Sequence, residues 1–531
     1  MEYIKGNPRE QITLYPSSLD EIIDANNTVR FIDGFVNTLN FEELGFEIGK
    51  NDGRNAYAPA DLLKLYIYGY MNRIRSSRTL ETECHRNIEV IWLLKNLKPD
   101  HNTIARFRKN NPKAIKRVFH KTVKIAQHFN LIGGLLIAGD STKLRAQNSK
   151  KNNFNELKIE RHLEYIDNKL ADFEREVSDA DGKLSDERVA EIKVNVDRHK
   201  KFKTKYKKIE QQLKDGKKEG LKQISTSDPD SRHQVIRNGI TEVSYSLQTT
   251  VDEKNNIPID YKLTNNNDVK AMGMMLRRAK TILRSNEFIG IYDKGYHTGS
   301  EFSIANSLKI KTVVAIPSIG RPSQAPNPTY NSEHFIYNKE NDTYTCPENQ
   351  TLTTTGTQHK AHNYLFKQYR TSACLTCQVR EQCTRAKSKK KLIQRSEHTE
   401  VIALNAKNVA ENEKLYKKRQ AIVEHPFGTI KRQWGFDHIM TKKGINRASA
   451  DVGLIMIVYN LKRIMNLVKV EELNQVIRDL IQLIGNKKRA IKLVLTIISL
   501  INVKRSTSQL FLIRIQITIQ NSIFTNQLSS F

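Results

Sequence analysis

The spacing of apolar residues predicts a helical segment followed by a mixed α/β core. Over residues 1–130 apolar side chains return at helical spacing, which predicts a helical N-terminal domain. The apolar run LLIAGD, which ends at Asp140, predicts a buried strand, and residues 240–263 alternate on both sides of a polar turn, as in a β-hairpin. A helix, the strand FIGIYD, a second helix and the strand KTVVAIP follow. Strand, hairpin, helix, strand, helix and strand is the order of a mixed α/β sheet.

A different period predicts an inserted helical hairpin over residues 153–225. Apolar positions there alternate at steps of four and three, which is the spacing of a coiled-coil seam. The seam of the first helix consists of Ile159, Leu163, Ile166, Leu170, Phe173 and Val177. A polar turn and a second, less regular helix follow, so the two helices are predicted to be antiparallel. We interpret this hairpin as a spacer or a dimerisation arm rather than as a catalytic element.

Composition divides the rest of the chain. Residues 131–320 and 400–466 are predicted to form one α/β core, which is interrupted by a Cys-rich basic insertion over 321–399. Residues 467–531 are rich in Ile, Leu and Ser without a clean period, and no role follows from that pattern.

The charge of the chain points to a polyanionic partner. The 531 residues carry a formal net charge of +30. A solvated basic surface is one explanation, and attraction to nucleic acid through counterion release is the other. The polar start predicts no signal peptide, and the longest apolar run, 491–503, is short for a bilayer span. We therefore expect no membrane partner, and a reducing cytoplasm fits the five cysteines, which do not resemble a disulfide framework.

Three acidic residues are candidates for a metal site. Asp140 and Asp293 each end an apolar run, and Glu424 lies in the basic helical stretch VEHPFGTIKRQWG. A single carboxylate after a strand is often only a turn or helix cap. Two such aspartates on strands that are plausible neighbours, with a third acid, could instead hold two Mg²⁺ ions at a phosphodiester.

Arginines in the N-terminal region suggest a DNA-binding surface. The helical segments are expected to project Arg73, Arg75, Arg78, Arg86, Arg106 and Arg108 outward. Short helices with projecting arginines suit DNA, and an ordinary helical bundle with a charged face is an equally good explanation.

Four cysteines in the basic insertion could hold zinc. Cys346, Cys374, Cys377 and Cys383 fall in one short region, and CLTC has the spacing of a zinc knuckle. The alternative is a set of free thiols in a reduced protein. His297 and His425 lie beside the proposed acids, where they could contact DNA or metal or serve as hydrogen-bonded structural residues.

These motifs together resemble the DDE transposases of bacterial insertion sequences, most closely the group called IS eleven-eighty-two. The resembling stretches include RSSRTLETECHRN, PDHNTIARFR, AGDSTKLRAQNSK, IYDKGYH and YKKRQAIVEHPFGTIKRQWGF, in the order of the family. The resemblance implies an RNase H-like core with a helical N-terminal DNA-binding domain, and a zinc-ribbon-like insertion. It also implies that Asp140, Asp293 and Glu424 are the metal-binding carboxylates.

The resemblance carries further expectations about residues and partners. Tyr416, Arg419 and Lys431 match a tyrosine-arginine-glutamate-lysine signature, although four residues separate Arg419 from Glu424 where related groups have three. The implied cofactor is two Mg²⁺ ions, with Mn²⁺ as a substitute. The implied partners are the terminal inverted repeats and target DNA, bound by a homodimer during cut-and-paste transposition. The alternatives are an inactive or regulatory DNA-binding derivative of a transposase and, more distantly, an unrelated zinc-dependent DNA-binding regulator.

Overall fold

The computed structural model describes residues 18–47, 56–180, 184–217, 221–237, 239–318, 324–361, 364–441, 443–469 and 471–482. The polar start of the chain and its apolar tail beyond residue 482, both considered above, lie outside the described residues.

The described N-terminal residues are helical, as the apolar spacing predicted. The helices are α1 (Leu19–Ile22), α2 (Thr28–Asn37), α3 (Pro59–Met71), α4 (Ser77–Arg86), α5 (Ile88–Leu93), α6 (His101–Asn110) and α7 (Pro112–His128). Local chemistry fixes their starts. Pro59 and Pro112 occupy first-turn positions, where a missing N–H costs nothing, and Asp100 caps α6 by accepting hydrogen bonds from the N–H groups of Asn102 and Thr103.

The core contains the predicted succession of elements. The elements are β1 (Leu136–Arg145), β2 (Asn153–Phe154), α8 (Glu156–Asp179), α9 (Asp186–Lys217), β3 (Ile224–Ser225), β4 (Arg232–Arg237), β5 (Ile240–Asp252), β6 (Ile257–Thr264), α10 (Met272–Leu283), β7 (Ile289–Tyr292), α11 (Gly299–Ser307) and β8 (Lys311–Val314). Without the helical hairpin, the main elements run as strand, hairpin, helix, strand, helix and strand, in agreement with the sequence-based prediction.

The central sheet is mixed, and β1 lies in its middle. Within the described residues the order is β6–β5–β1–β7–β8, and β4 also pairs with the first part of β5. β5 and β6 are antiparallel to their neighbours, whereas β1, β7 and β8 run parallel. β7 therefore ends, at Tyr292, beside the middle of the longer strand β1. In open α/β sheets, side chains for chemistry collect at the carboxyl ends of parallel strands.

The helical hairpin leaves the sheet after β1 and returns before β5. α8 and α9 pack against each other, and the short pairing of β2 with β3 closes the base. A small apolar cluster of Phe154, Ile159, Ile209 and Leu213 fills the junction.

The insertion between β8 and the last helices forms two small antiparallel sheets. One contains β9 (Ile336–Asn338), β10 (Thr343–Thr345) and β11 (Thr351–Leu352), and the other contains β12 (His359–Ala361), β13 (Tyr364–Tyr369) and β14 (Ile393–Ser396). The short helix α12 (Arg380–Cys383) lies between β13 and β14.

Helices after the insertion return to the core. They are α13 (Thr399–Glu411), α14 (Glu413–Lys417), α15 (Arg419–Gly428), a π-helical turn (Thr429–Gln433) and α16 (Ile445–Leu467). The buried Asn405 of α13 fixes this helix to β8 by bonding both the N–H and the carbonyl of Val314.

The N-terminal helices share one hydrophobic core with the sheet. α16 is buried along most of its length and contacts α7, α3 and α6 as well as β6. A single cluster of buried apolar residues runs through these helices and one face of the sheet. The N-terminal region is thus continuous in packing with the α/β core. Among the described helices, none is long and apolar enough to cross a membrane.

Candidate active site at the carboxyl ends of two parallel strands

Strand register places Asp140 and Asp293 level with each other. β1 pairs in parallel with β7, and Ala138 lies opposite Ile291. Each aspartate is two residues beyond its member of that pair, so both carboxylates leave the same edge on neighbouring strands. The sequence suggested that Asp140 ends its strand. This is wrong, because β1 continues to Arg145 and Asp140 lies at the point where the strand changes from fully buried to partly exposed.

The residue before each aspartate interlocks the two motifs. Gly139 precedes Asp140, and Tyr292 precedes Asp293. A Cβ atom at position 139 would come within 1.8 Å of the Tyr292 ring, so the buried tyrosine occupies the space that a side chain at 139 would need. Only glycine allows this approach of ring to strand.

Asp140 is held by one arginine and one backbone group. Its Oδ2 accepts a hydrogen bond from Arg419 Nη1 at 3.0 Å, and its Oδ1 accepts one from the N–H of Ser141 at 2.7 Å. Burial raises the pKa of Asp140, and the neighbouring charge of Asp293 adds to the increase, while Arg419 opposes it. Because Asp293 contributes, the two aspartates belong to one electrostatic site.

Asp293 retains a carboxylate oxygen for a ligand. Its Oδ1 accepts a hydrogen bond from the N–H of Gly295 at 2.8 Å, which caps the short 3₁₀ turn Lys294–Tyr296. Among the described residues no hydrogen bond reaches its other oxygen. Tyr296, the last residue of this turn, donates a hydrogen bond to Gln248 Oε1 of β5 at 2.6 Å and so attaches the turn to the sheet.

The helix that carries Glu424 packs on the same strand. Ile422 and Val423 of α15 form a small apolar cluster with Leu136 and Ala138 of β1. Pro426 lies inside α15, and the π-helical turn follows directly. Irregular turns of this kind occur often at functional sites.

Glu424 itself lies on the exposed side of α15. Its Oε1 accepts a hydrogen bond from Gln420 at 2.8 Å, and Glu424 is not among the main causes of the raised pKa of Asp140. Within the described residues, no three side chains of His, Cys, Asp or Glu are arranged to hold a metal ion. The structure therefore brings Asp140 and Asp293 together and leaves Glu424 on the neighbouring helix.

The signature residues bind the protein rather than project freely. Arg419 pairs with Asp140 as described. Lys431 donates hydrogen bonds to Thr142 Oγ1 and to the carbonyl of Lys143, both at 3.1 Å, and burial lowers its pKa. Tyr416 packs at the border of the cluster around Ile422. Both basic residues thus attach the α15 region to the polar half of β1.

The four cysteines of the insertion line one small apolar cavity of about 30 Å³. Burial raises the pKa of the Cys383 thiol, and the neighbouring Cys374, Cys346 and Cys377 contribute to the increase. The fold gathers the four thiols, although their arrangement is not that of a ready metal site.

The arginines expected to face DNA divide into exposed and buried ones. Arg73, Arg78, Arg86 and Arg106 are exposed, as expected. Arg75 and Arg108 are buried, so a DNA contact through either one is contradicted by the structure. Their guanidinium groups bind Asp451 of α16, at 2.6 Å for Arg75 and 3.2 Å for Arg108.

Asp451 is the important residue that sequence reasoning missed. Its carboxylate also accepts hydrogen bonds from the Tyr70 hydroxyl and from the N–H of Met440 at 2.9 Å. The signal was present in the sequence, because Asp451 is a lone acid beside the apolar helical run VGLIMIVY. A buried acid of this kind needs a cationic partner.

The two histidines near the acids have structural neighbours. The His297 ring packs edge-on against Phe302 at 5.0 Å between centroids. His425 Nδ1 lies 2.7 Å from the Tyr459 hydroxyl, in a cavity of about 710 Å³ whose described lining contains none of the three acids.

Comparison with known families identifies transposase domains in two parts of the chain. A family model described as Transposase domain (DUF772) matches residues 17–110, and one described as Transposase DDE domain matches residues 345–465. No curated protein and no solved structure matches the chain. The two matches imply DNA as the partner and a dependence on divalent metal. With these two transposase domains in one chain, the protein is a DDE-type insertion-sequence transposase, a polynucleotidyl transferase.

Proposed function

We propose that Asp140, Asp293 and Glu424 are the catalytic carboxylates of this transposase and that the core is RNase H-like. The observation that carries the proposal is the position of the two aspartates, which lie level on adjacent parallel strands and share one electrostatic site. The sheet also supports the proposal. Its central strand β1 has the β5–β6 hairpin on one side and the parallel strands β7 and β8 on the other, which is the arrangement that we expect of an RNase H-like core.

The attachment of α15 supports Glu424 as the third carboxylate. Arg419 ties the start of this helical stretch to Asp140, and Lys431 ties its end to Thr142, only two residues farther along β1. Glu424 lies between these two anchors. A rotation of its exposed side chain away from Gln420 brings no buried group into water.

The donor set fits Mg²⁺, with Mn²⁺ as a substitute. Carboxylate oxygens are the ligands that both ions prefer, and Asp293 offers an oxygen without a partner among the described residues. Two bound ions would activate a water molecule and neutralise charge on the phosphodiester. Asp140, Asp293 and Glu424 would hold them, Arg419 would orient Asp140, and Lys431 would keep α15 aligned with β1.

The reaction proposed is hydrolysis at the ends of the element, followed by attack of the freed 3′-OH on target DNA. We expect a homodimer to bind the terminal inverted repeats and target DNA. We also expect the protein to belong to the IS eleven-eighty-two group. The exposed arginines of the N-terminal region, Arg73, Arg78, Arg86 and Arg106, are available to bind phosphates. Tyr416, Arg419 and Lys431 border the same site and would reach DNA only after releasing their present partners.

The experiment compares Asp293→Asn with Glu413→Gln in a cleavage assay with Mg²⁺. We expect Asp293→Asn to abolish strand cleavage while DNA affinity stays nearly unchanged, because phosphate binding comes from Lys and Arg. Glu413 is exposed and pairs only locally with Lys417, so its variant should cleave normally. Cleavage by Asp293→Asn at the wild-type rate would sink the assignment. Wild-type protein that binds DNA without cutting it would favour an inactive derivative.

The same assay places Glu424. We expect Glu424→Gln to lose cleavage as Asp293→Asn does. Normal cleavage would remove Glu424 from the site and make Glu411 the next acid to test, because Glu413→Gln is already measured as the control.

We further propose that the cysteine cluster binds zinc in a zinc-ribbon-like insertion. The support is that Cys346, Cys374, Cys377 and Cys383 surround one cavity. Purified protein should carry about one zinc per chain, and Cys374→Ser with Cys377→Ser should release it without changing cleavage-site metal binding. Metal analysis of freshly reduced protein that finds no zinc would leave four ordinary thiols.

A further inference from the structure

The second helix of the hairpin contains a dense run of positive charge. Between Asp197 and Glu210, α9 has no acidic residue, and its basic residues there are Arg198, Lys200, Lys201, Lys203, Lys205, Lys207 and Lys208. The run covers about 18 Å of helix. Roughly ten phosphate charges of a B-DNA duplex lie within the same length.

Most of these lysines point away from the packed side of the hairpin. Lys201, Lys205 and Lys208 are spaced at i, i+4 and i+7, so they share one helix face, and all three are exposed. The buried residues of α9 form a different face, with Ile192, His199, Ile209 and Leu213. The lysine face is therefore not used to hold the hairpin together.

Among the described residues, ion pairs account for one member of the run. Lys203 pairs with Asp167 of α8 at 2.5 Å and so links the two helices. In the segment 184–217 and the other described residues, Lys201, Lys205 and Lys208 form no ion pair. Three like charges this close on one helix repel one another, which is a cost that an anionic partner would remove.

The excess of positive charge lies on one of the two helices. On α8 acidic side chains outnumber basic ones, whereas on α9 the reverse holds. A basic surface needed only for solubility would not be segregated in this way. Such segregation sets the side of the hairpin that an anion approaches.

The chain connects this face to the carboxylate edge. β1 carries Asp140, continues through its polar half to Arg145, and leads into the base of the hairpin at Asn153. The return path enters β4 and β5, which pair with each other and, in the case of β5, with β1. The hairpin is thus rooted in the strand that bears the first catalytic aspartate.

We propose that the face of α9 formed by Lys201, Lys205 and Lys208 binds the phosphate backbone of the DNA duplex held at the carboxylate site. This inference rests on the proposed function and assigns the hairpin the role of a DNA-binding arm, in place of the spacer or dimer arm suggested by its sequence. Lysines act as point charges on phosphates, so the arm contributes affinity without reading bases.

The test is the salt dependence of duplex binding by the full chain. For the triple variant Lys201→Gln, Lys205→Gln and Lys208→Gln, we expect the slope of log Kobs against log salt to become shallower by about 2–3, since each lost phosphate contact removes about 0.9. A matched control removes the same charge from the acidic helix, through Arg161→Gln, Lys169→Gln and Arg175→Gln. The control should retain the wild-type slope. The charge-preserving variant with arginine at 201, 205 and 208 should retain it as well.

Several outcomes would overturn the proposal. They are an unchanged slope in the triple glutamine variant, an equal change in the α8 control, and a change of oligomeric state in sedimentation with the slope preserved. The last result would make this face a contact between copies of the chain. Failure of the proposed function is distinguishable, because it appears as cleavage by Asp293→Asn, whereas the arm is tested by binding alone.

Discussion

Asp140 and Asp451 are each paired with an arginine from a distant part of the chain. We propose a metal-binding role for Asp140 and a structural role for Asp451. The Asp140 and Arg419 side chains are 23% and 17% exposed, whereas Asp451 and Arg75 are 0% and 5% exposed. The Arg–Asp distances are similar, at 3.0 and 2.6 Å. The pairs therefore differ in their surroundings more than in their contact.

The surroundings decide which pair can exchange partners. Both oxygens of Asp451 are engaged by the protein, through Arg75, Arg108, Tyr70 and the N–H of Met440, and although burial opposes it, the two arginines lower its pKa. Asp140 has one side-chain partner, and burial raises its pKa. Asp451, whose two oxygens both have partners within the protein, has a structural role. Asp140, which is partly exposed and lies beside Asp293, can accept metal.

The largest expected effect is on folding. Asp451→Asn leaves two buried guanidinium groups without a countercharge, so the free energy of unfolding should fall by about 3–5 kcal/mol. The same change at Asp140 should alter it by less than about 1 kcal/mol, because that pair is partly hydrated. Urea denaturation of both variants measures the difference. Equal losses would show that the two pairs have the same structural role.

A second pair of variants separates two arginines that lie two positions apart. Arg108→Ala should lower the free energy of unfolding by about 3 kcal/mol, since it breaks the buried pair with Asp451. Arg106→Ala, on the exposed side of α6, should change it by less than about 0.5 kcal/mol and should weaken duplex binding instead. The comparison fails if Arg106→Ala destabilises the protein as much as Arg108→Ala.

A third test concerns the exchange of partners at Asp140. Arg419→Ala removes the cation that now occupies Asp140 Oδ2, so Mn²⁺ should bind more tightly in the absence of DNA. We expect the affinity to rise about tenfold, which corresponds to about 1.4 kcal/mol of binding free energy. Electron paramagnetic resonance or calorimetry measures this affinity directly. Lys431→Ala is the control, because Lys431 contacts Thr142 and Lys143 and should leave Mn²⁺ affinity near the wild-type value. Weaker Mn²⁺ binding in Arg419→Ala would mean that the arginine supports the metal site.

The smallest effect is a shift on the acid side of the pH profile. Because the pKa of Asp140 is raised by burial, its carboxylate is protonated at a higher pH than an ordinary aspartate, whose pKa is about 3.9. Mn²⁺ binding should therefore be lost as the pH falls through that raised pKa. The linkage to folding has the opposite sense, since the folded state holds this proton more tightly and the contribution of Asp140 to stability declines as pH rises. A pH titration of Mn²⁺ affinity in wild type and Asp140→Asn checks the first statement, and urea denaturation of both proteins across the same pH range checks the second.

The sequence by itself determined the order of elements and the candidate residues for the chemistry. Alternation and helical spacing predicted the succession of strands and helices, including both helices of the hairpin, because burial of one face leaves a local period. The two aspartates and the cysteine group were visible for the same reason, since each lies at a local break in an apolar or basic run.

Only the tertiary structure decided which charges meet. Helical spacing places Arg108 on the face of Ile104 and Arg106 away from it. The carboxylate that allows Arg108 to be buried, Asp451, arrives only with α16, which packs against α3 and α6 in a long-range contact. The parallel register of β1 and β7 likewise sets Asp140 beside Asp293 across 153 residues of chain, and no local pattern encodes a register between distant strands. The energy of a charge depends on the solvent and partners around it, and these are properties of the fold and not of the neighbouring sequence.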